Sequence, residues 1–336
     1  MTPANPPDLI SLLQAEAAGG VLTFARFMEI CLYHPRFGYY RRDRVRIGYS
    51  QGADFFTAAS SGPVFGEIVA AACVSLLAGR DPGEFEFVEI GAEPAPPGSG
   101  TRGVLAGVAH PFRSLRTIGA AEALGRRPSG PPRLEGPCIV FSNELFDAQP
   151  FNRFVFRGGA WREMGVGFDG DRLVERELPS VAQAPLPPAA PEGYRLDAPL
   201  DSVRLLETIA SLPWTGLFVA IDYGKSWEEL SRDAPGGTAR AHYRHAQSGD
   251  LLARPGEQDL TCHVCWDWLA GSLARHGFGP AQLEFQEAFF LHHASGWLEA
   301  AITSDSAPFS PVKRSLMQLL HPSHLGQKFQ VLHALR

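Results

Sequence analysis

Apolar residues recur at helical spacing over residues 8–33, at Leu9, Leu12, Leu13 and Ala17 and again at Phe24, Phe27, Met28 and Cys31, with Gly19-Gly20 between the two runs. That spacing predicts two helices. The next stretch, Tyr33-His34-Pro35-Arg36-Phe37-Gly38-Tyr39-Tyr40, sets turn-forming Pro and Gly among aromatics, which predicts an ordered loop that packs. Residues 65–77 are periodic as a helix, and 84–91 alternate as a short buried strand. A Pro/Gly-rich interval over 94–100 interrupts the pattern before two more apolar runs of buried-strand type, 115–120 and 138–142. Over 151–178, Phe154, Phe156, Trp161, Met164, Val166 and Phe168 alternate with polar residues. Turns at Arg157-Gly158-Gly159 and Phe168-Asp169-Gly170-Asp171 make this an antiparallel insertion. Residues 180–199, rich in Pro and Ala, predict a linker. The sheet resumes at 216–224, and 283–291 and 329–335 are the expected final strands. Strands alternating with loops and helices point to an α/β fold.

At 336 residues, with 45% hydrophobic residues, the chain is long enough for a sizeable core. Thirty basic against 36 acidic residues leave a net charge of −6, the opposite of the electrostatic footprint of a nucleic-acid binder. The five cysteines, Cys31, Cys73, Cys138, Cys262 and Cys265, are odd in number and scattered, which argues for a reducing compartment, the cytoplasm of a bacterium by default. Neither a secretory signal nor an uninterrupted apolar span long enough to cross a membrane is visible, so no membrane partner is expected.

Candidate chemistry gathers at predicted strand ends. Glu89-Ile90-Gly91 closes one strand with an acid and a glycine, where a backbone can approach a ligand closely. Asn143-Glu144-Leu145-Phe146-Asp147-Ala148-Gln149-Pro150 follows the run Ile139-Val140-Phe141-Ser142, which puts its polar groups at a strand's carboxyl end, where open α/β sheets bind ligands. Its carboxylates suit a guanidinium, whose planar fork is recognised bidentately. Ile221-Asp222-Tyr223-Gly224 ends the next strand. Downstream lie Gly237-Thr238-Ala239-Arg240-Ala241-His242, His245, and Arg254-Pro255-Gly256-Glu257-Gln258-Asp259-Leu260-Thr261-Cys262-His263-Val264, polar stretches that neither core packing nor helix periodicity calls for. Cys262-His263-Val264-Cys265 is a single Cys-x-x-Cys without a partner pair, weak grounds for zinc or redox chemistry, and no metal is expected. His292-His293 and His321 with His324 lack acidic neighbours in sequence and are read as surface or packing residues.

These segments, together with Ala53-Asp54-Phe55-Phe56-Thr57-Ala58, resemble in content and order the MidA-like methyltransferases, a family that includes the arginine methyltransferase of mitochondrial complex I assembly. The resemblance covers nearly the whole chain. It implies a Rossmann-like class I methyltransferase sheet with an N-terminal helical cap and an antiparallel β insertion. The domains expected are a cap and cofactor-covering loop over 1–80, the first part of the core over 81–150, the insertion and linker over 151–200, and the rest of the core with substrate-pocket segments over 201–336. The cofactor implied is S-adenosyl-L-methionine, held by Asp54, Phe55, Thr57, Glu89, Gly91 and Asn143. Asn143, Glu144, Asp147, Asp222, His242 and His263 are the implied catalytic set. The implied partner is a protein substrate, a respiratory-complex subunit in that branch of the family, methylated on arginine.

Departures from the family pattern fall where ligand is expected. After Gly91 the chain reads Ala92-Glu93-Pro94-Ala95-Pro96-Pro97 in place of further glycines, Ser60 replaces an acid, Cys265 replaces another, and the second strand offers only Glu122 as a carboxylate for a ribose. They leave a second reading open, a catalytically silent member that binds a protein partner. Methylation of a small molecule is a third reading, since fold does not fix substrate.

Overall fold

The computed structural model describes residues 8–41, 62–92, 103–120, 133–304, 307 and 310–336. The chain forms two compact units, each assembled from three separated stretches. One comprises Met1–Phe56, Phe146–Arg204 and Lys225–Cys265, the other Thr57–Leu145, Leu205–Gly224 and Trp266–Arg336.

The second unit is built on a six-stranded sheet in the spatial order Gln282–Phe285, Gln330–Leu335, Trp214–Asp222, Gly136–Asn143, Glu86–Ile90, Ser114–Ile118. The last four of these strands are parallel, and 330–335 runs antiparallel to both of its neighbours. Cys138-Ile139-Val140-Phe141 and Leu217-Phe218-Val219-Ala220-Ile221 are buried at every position. Such unbroken apolar runs are what parallel strands covered on both faces require. On one face the helices Pro63–Leu76, Gln286–His293, Ser295–Ser304 and Pro311–Leu320 bring Phe65, Ile68, Phe290, Leu298 and Leu319 into one core with Phe141, Val219 and Val331. Trp214 belongs to the opposite face, where its ring meets Phe278 edge-on at 5.3 Å. From 86–90 the chain passes to 114–118 on one side and then to 136–143 on the other. That reversal is the switch point of a Rossmann-like sheet, and it opens a crevice beyond the carboxyl ends of the two central strands.

The first unit carries an antiparallel sheet in the order Leu22–Thr23, Ala160–Asp169, Asn152–Arg157, Arg195–Ala198, with Arg172–Glu177 also paired to Ala160–Asp169. The hairpin turn Gly158-Gly159 has φ of 58° and 76°, the left-handed pair that a two-residue turn between twisted strands demands. The helices Leu9–Ala17 and Phe24–Tyr33 start on side-chain caps from Asp8 and Thr23. A small second sheet joins Ala246–Ser248, Arg240–Tyr243 and Asp259–Thr261.

Two expectations are corrected. Residues 180–199 are not a linker throughout, because 195–198 pairs with 152–155 as a full ladder. Its inward acid, Asp197, hides the alternation, since it is buried against Arg153 rather than against apolar groups. Residues 283–291 are not one strand: the strand stops at Phe285 and the helix Gln286–His293 begins, with the buried Gln286 amide donating to the Leu319 carbonyl at 2.8 Å. A short apolar run such as Ala288-Phe289-Phe290-Leu291 fits either element by pattern alone. Among the described residues no helix is long and apolar enough to cross a membrane.

Candidate active site

Glu89 stands one residue before the end of its strand, and its Oε2 accepts the Val104 N–H at 2.5 Å. Burial pushes its carboxyl up to about 7, an effect the Val104 N–H only partly offsets. The loop carrying Val104 sits so close to the helix Pro63–Leu76 that a side chain at Gly66 would collide with the Val104 carbonyl. This accounts for the glycine of Phe65-Gly66-Glu67 by packing. Gly91 follows the strand with φ +88°, and a Cβ there would lie 2.8 Å from Leu145 Cδ1. Only glycine fits that turn. A cavity of about 280 Å³ lies beside Glu89, lined by Phe87, Gly103, Leu105, Ala106, Leu115, Arg116 and Thr117 as well.

Across the switch point, Ile90 pairs with Ser142, and Asn143 pairs with Ile221. Ser142 Oγ and Asn143 Oδ1 are buried and have no hydrogen-bond partner among the described residues. Asn143 Nδ2 donates to Glu144 Oε1 at 3.0 Å, and the Glu144 N–H donates to the Ile221 carbonyl at 2.9 Å. Glu144 is held at φ +50°, a left-handed conformation that costs a non-glycine residue about 1–3 kcal/mol. Asp222, fully buried at the end of the next strand, accepts the Tyr223 N–H through Oδ1 at 2.9 Å. One sheet edge thus gathers Glu89, Gly91, Asn143, Glu144 and Asp222. The close-approach turn and the two partnerless polar atoms fit a ligand that presents hydroxyl and ammonium donors, as S-adenosyl-L-methionine does.

The other expected residues belong to the first unit. Asp147 is buried, and its carbonyl accepts the Cys262 N–H at 2.8 Å, which sets it beside the segment bearing His263. Burial, reinforced by the cations Lys225 and Arg240, pushes the His263 imidazole down to about 4, so it is neutral at pH 7. His242 Nε2 lies 3.3 Å from Thr261 Oγ1. The aromatic loop is tied to these segments: Tyr33 donates to the Ala148 carbonyl and Tyr40 to Asp259 Oδ1, each at 2.9 Å. Asp54, Phe55, Thr57, Ser60, Glu122 and residues 94–100 lie outside the described residues.

Asp197 escaped the sequence reading. Its Oδ1 and Oδ2 accept from Arg153 Nε and Nη2 at 2.7 and 3.2 Å, and Oδ2 also accepts the Thr238 and Ala239 N–H groups at 2.9 and 2.8 Å. Gly237 has φ +72°, and a side chain there would run into the same carboxylate. Gly237-Thr238-Ala239 is therefore an anion cradle serving the fold, and core packing does call for it. The Cys-x-x-Cys thiols are both buried, and burial pushes Cys262 well above the ordinary thiol range. A second correction concerns His292 and His293, which do have an acidic partner, Glu284, eight and nine residues before them.

The family model described as "Putative S-adenosyl-L-methionine-dependent methyltransferase" matches residues 125–282. A COG1565 superfamily member from Burkholderia thailandensis, crystallised with S-adenosyl-homocysteine bound, is 27% identical, with a TM-score of 0.81 over 97% of this chain and 91% of that one. Over nearly its whole length the chain is similar to the MidA-like methyltransferases. Two curated proteins resemble it over most of their length. "Protein arginine methyltransferase NDUFAF7, mitochondrial" of Danio rerio is 23% identical over 97% of this chain and 86% of its own. Its Drosophila melanogaster homolog is 24% identical over 93% and 81%. The chain is an S-adenosyl-L-methionine-dependent methyltransferase. The cofactor supplies an activated sulfonium methyl group when bound.

Proposed function

We propose that this methyltransferase acts on an arginine side chain of a protein partner. Glu144 carries the reading. Its carboxylate accepts from Asn143 Nδ2 at the carboxyl end of the strand, and its left-handed backbone is fixed by the N–H it donates to the Ile221 carbonyl. A carboxylate fixed in this way orients a guanidinium through paired N–H donors, and orientation is the larger part of what a methyl acceptor needs. Gly91 lets its backbone approach the cofactor, and Glu89 and Asn143 offer acceptors to its polar groups. Asp54, Phe55 and Thr57 are added to the cofactor set by the resemblance. Asp222 shares the sheet edge with Glu144. Asp147, His242 and the neutral His263 are assigned to acceptor binding and proton removal, also by resemblance. The relatives named as protein arginine methyltransferases support the acceptor class, and the buried free cysteines accord with a reducing compartment, the bacterial cytoplasm.

The test uses tritiated S-adenosyl-L-methionine and an extract of cells lacking this chain, with labelled protein hydrolysed to amino acids. Label in methylarginine is the expected result. Label confined to small molecules, or to lysine, overturns the acceptor assignment. Glu144→Gln is expected to lower transfer by about 100-fold or more while leaving cofactor affinity within about threefold.

A further inference from the structure

We propose that Glu284, His293 and His333 form a binding site for a divalent transition-metal ion, zinc being the ion the donors suit best. Three elements deliver the side chains. Glu284 lies on the edge strand Gln282–Phe285 opposite Val331, so it shares a sheet face with His333, which stands diagonally across the ladder. The helix Gln286–His293 packs on that face through Phe289 and Phe290 and ends at His293. The Nε2 atoms of His293 and His333 converge on one atom, Glu284 Oε1, at 2.9 and 3.2 Å. The two imidazoles meet edge to face at 75°, so both nitrogens point at the carboxylate instead of the rings stacking.

The donor atoms lie within 4.8 Å of one another. Ligand atoms of a tetrahedral zinc, each ~2.0–2.1 Å from the ion, stand ~3.3 Å apart. Seating the ion therefore lengthens the two imidazole–carboxylate separations, now 2.9 and 3.2 Å, by a few tenths of an ångström and brings the two imidazole nitrogens closer by at most about 1.5 Å. Two imidazoles and a carboxylate match the borderline preference of zinc and its neighbours, not that of magnesium or calcium. His292 Nδ1, 2.5 Å from Glu284 Oε2, braces the second carboxylate oxygen, as outer partners of metal ligands do. Phe289 walls the site, its ring 5.1 Å from His293 and 5.5 Å from His333. Side-chain exposures of 19% for Glu284 and 22% for His293 leave one side open to solvent, which provides an entry path and a fourth coordination position. The terminal turn of a helix also favours a cation. The strand 214–222 lies between the two strands that carry this site and the strand 136–143, so its role is to fasten the edge strand to the sheet and helix, not to transfer methyl groups.

The full chain, stripped with a chelator, is titrated with zinc chloride by calorimetry and followed by thermal unfolding. One zinc per chain at micromolar affinity or tighter and a raised Tm are expected. Glu284→Gln and His293→Ala should each weaken zinc binding by about 10–100-fold, and His292→Ala by less, with S-adenosyl-L-methionine affinity unchanged in all three. Cobalt should give the intense visible bands of a four-coordinate ion without a thiolate charge-transfer band. Absence of binding at about 0.1 mM zinc overturns the proposal. So does binding that survives both Glu284→Gln and His293→Ala, or a thiolate band that assigns the metal to cysteine.

Discussion

Glu89 is close to the midpoint of its titration at neutral pH, because burial has raised it from 4.5 to about 7. The folded chain keeps a proton that the unfolded chain gives up near 4.5, so stability falls as pH rises between those two values. The loss approaches ~3 kcal/mol above pH 7. Glu89→Gln is expected to raise Tm at pH 8 and to leave it nearly unchanged at pH 4.5, as thermal unfolding at the two pH values will show. The same charge has a use if it receives the ammonium of the cofactor. Affinity for S-adenosyl-L-methionine should then climb as pH rises through about 7 in the native chain and lose that dependence in Glu89→Gln. At this scale the sequence was partly legible. Glu89, Gly91, Asn143 and Asp222 stand at strand ends because apolar runs announce where strands stop. Nothing in the one-letter pattern, by contrast, announces the left-handed backbone of Glu144, which belongs to a turn closed by the distant Ile221 carbonyl.

Among the elements, the strand Arg195–Ala198 shows how an ion pair can disguise secondary structure. Burial alone would raise the Asp197 carboxyl and lower Arg153. Their mutual attraction and hydrogen bonds outweigh it, and Glu175 bridges Arg153 to Arg195 at 2.8 Å on each side. The strand's inward position is thus filled by charge, and a pattern reader looking for apolar alternation sees a linker. Asp197→Asn would leave Arg153 buried with less compensation, at an expected cost of about 3 kcal/mol. Gly237→Ala should cost on the order of 2–3 kcal/mol, through left-handed strain and displacement of the same carboxylate. Chemical denaturation of both variants and of the double variant checks this. Because the two residues act on one cradle, the double variant should lose clearly less than the sum of the singles. The antiparallel strands over 152–177 were legible for the opposite reason: their inward residues are apolar and their turns are glycine-marked.

For the molecule as a whole, the excess of acid over base predicts that labelled duplex DNA or RNA shows no salt-dependent binding in fluorescence anisotropy at physiological ionic strength. All five thiols are buried, so a thiol reagent should titrate them slowly in the native chain and rapidly, all five, in denaturant. The α/β class was readable from alternating strand and helix signals. The division into two interleaved units was not, because it depends on which distant stretches meet, and local periodicity is silent about that. The strand Gln330–Leu335 is the last of the six to be synthesised, yet it occupies an interior position, hydrogen-bonded to Trp214–Asp222 on one side and Gln282–Phe285 on the other. On the ribosome, then, the sheet cannot be completed piece by piece as its strands emerge. The apolar edge of 214–222 stays open until residue 335 is out. A nascent chain interrupted before that point exposes a strand edge ready to pair with a neighbour, an aggregation hazard built into this topology.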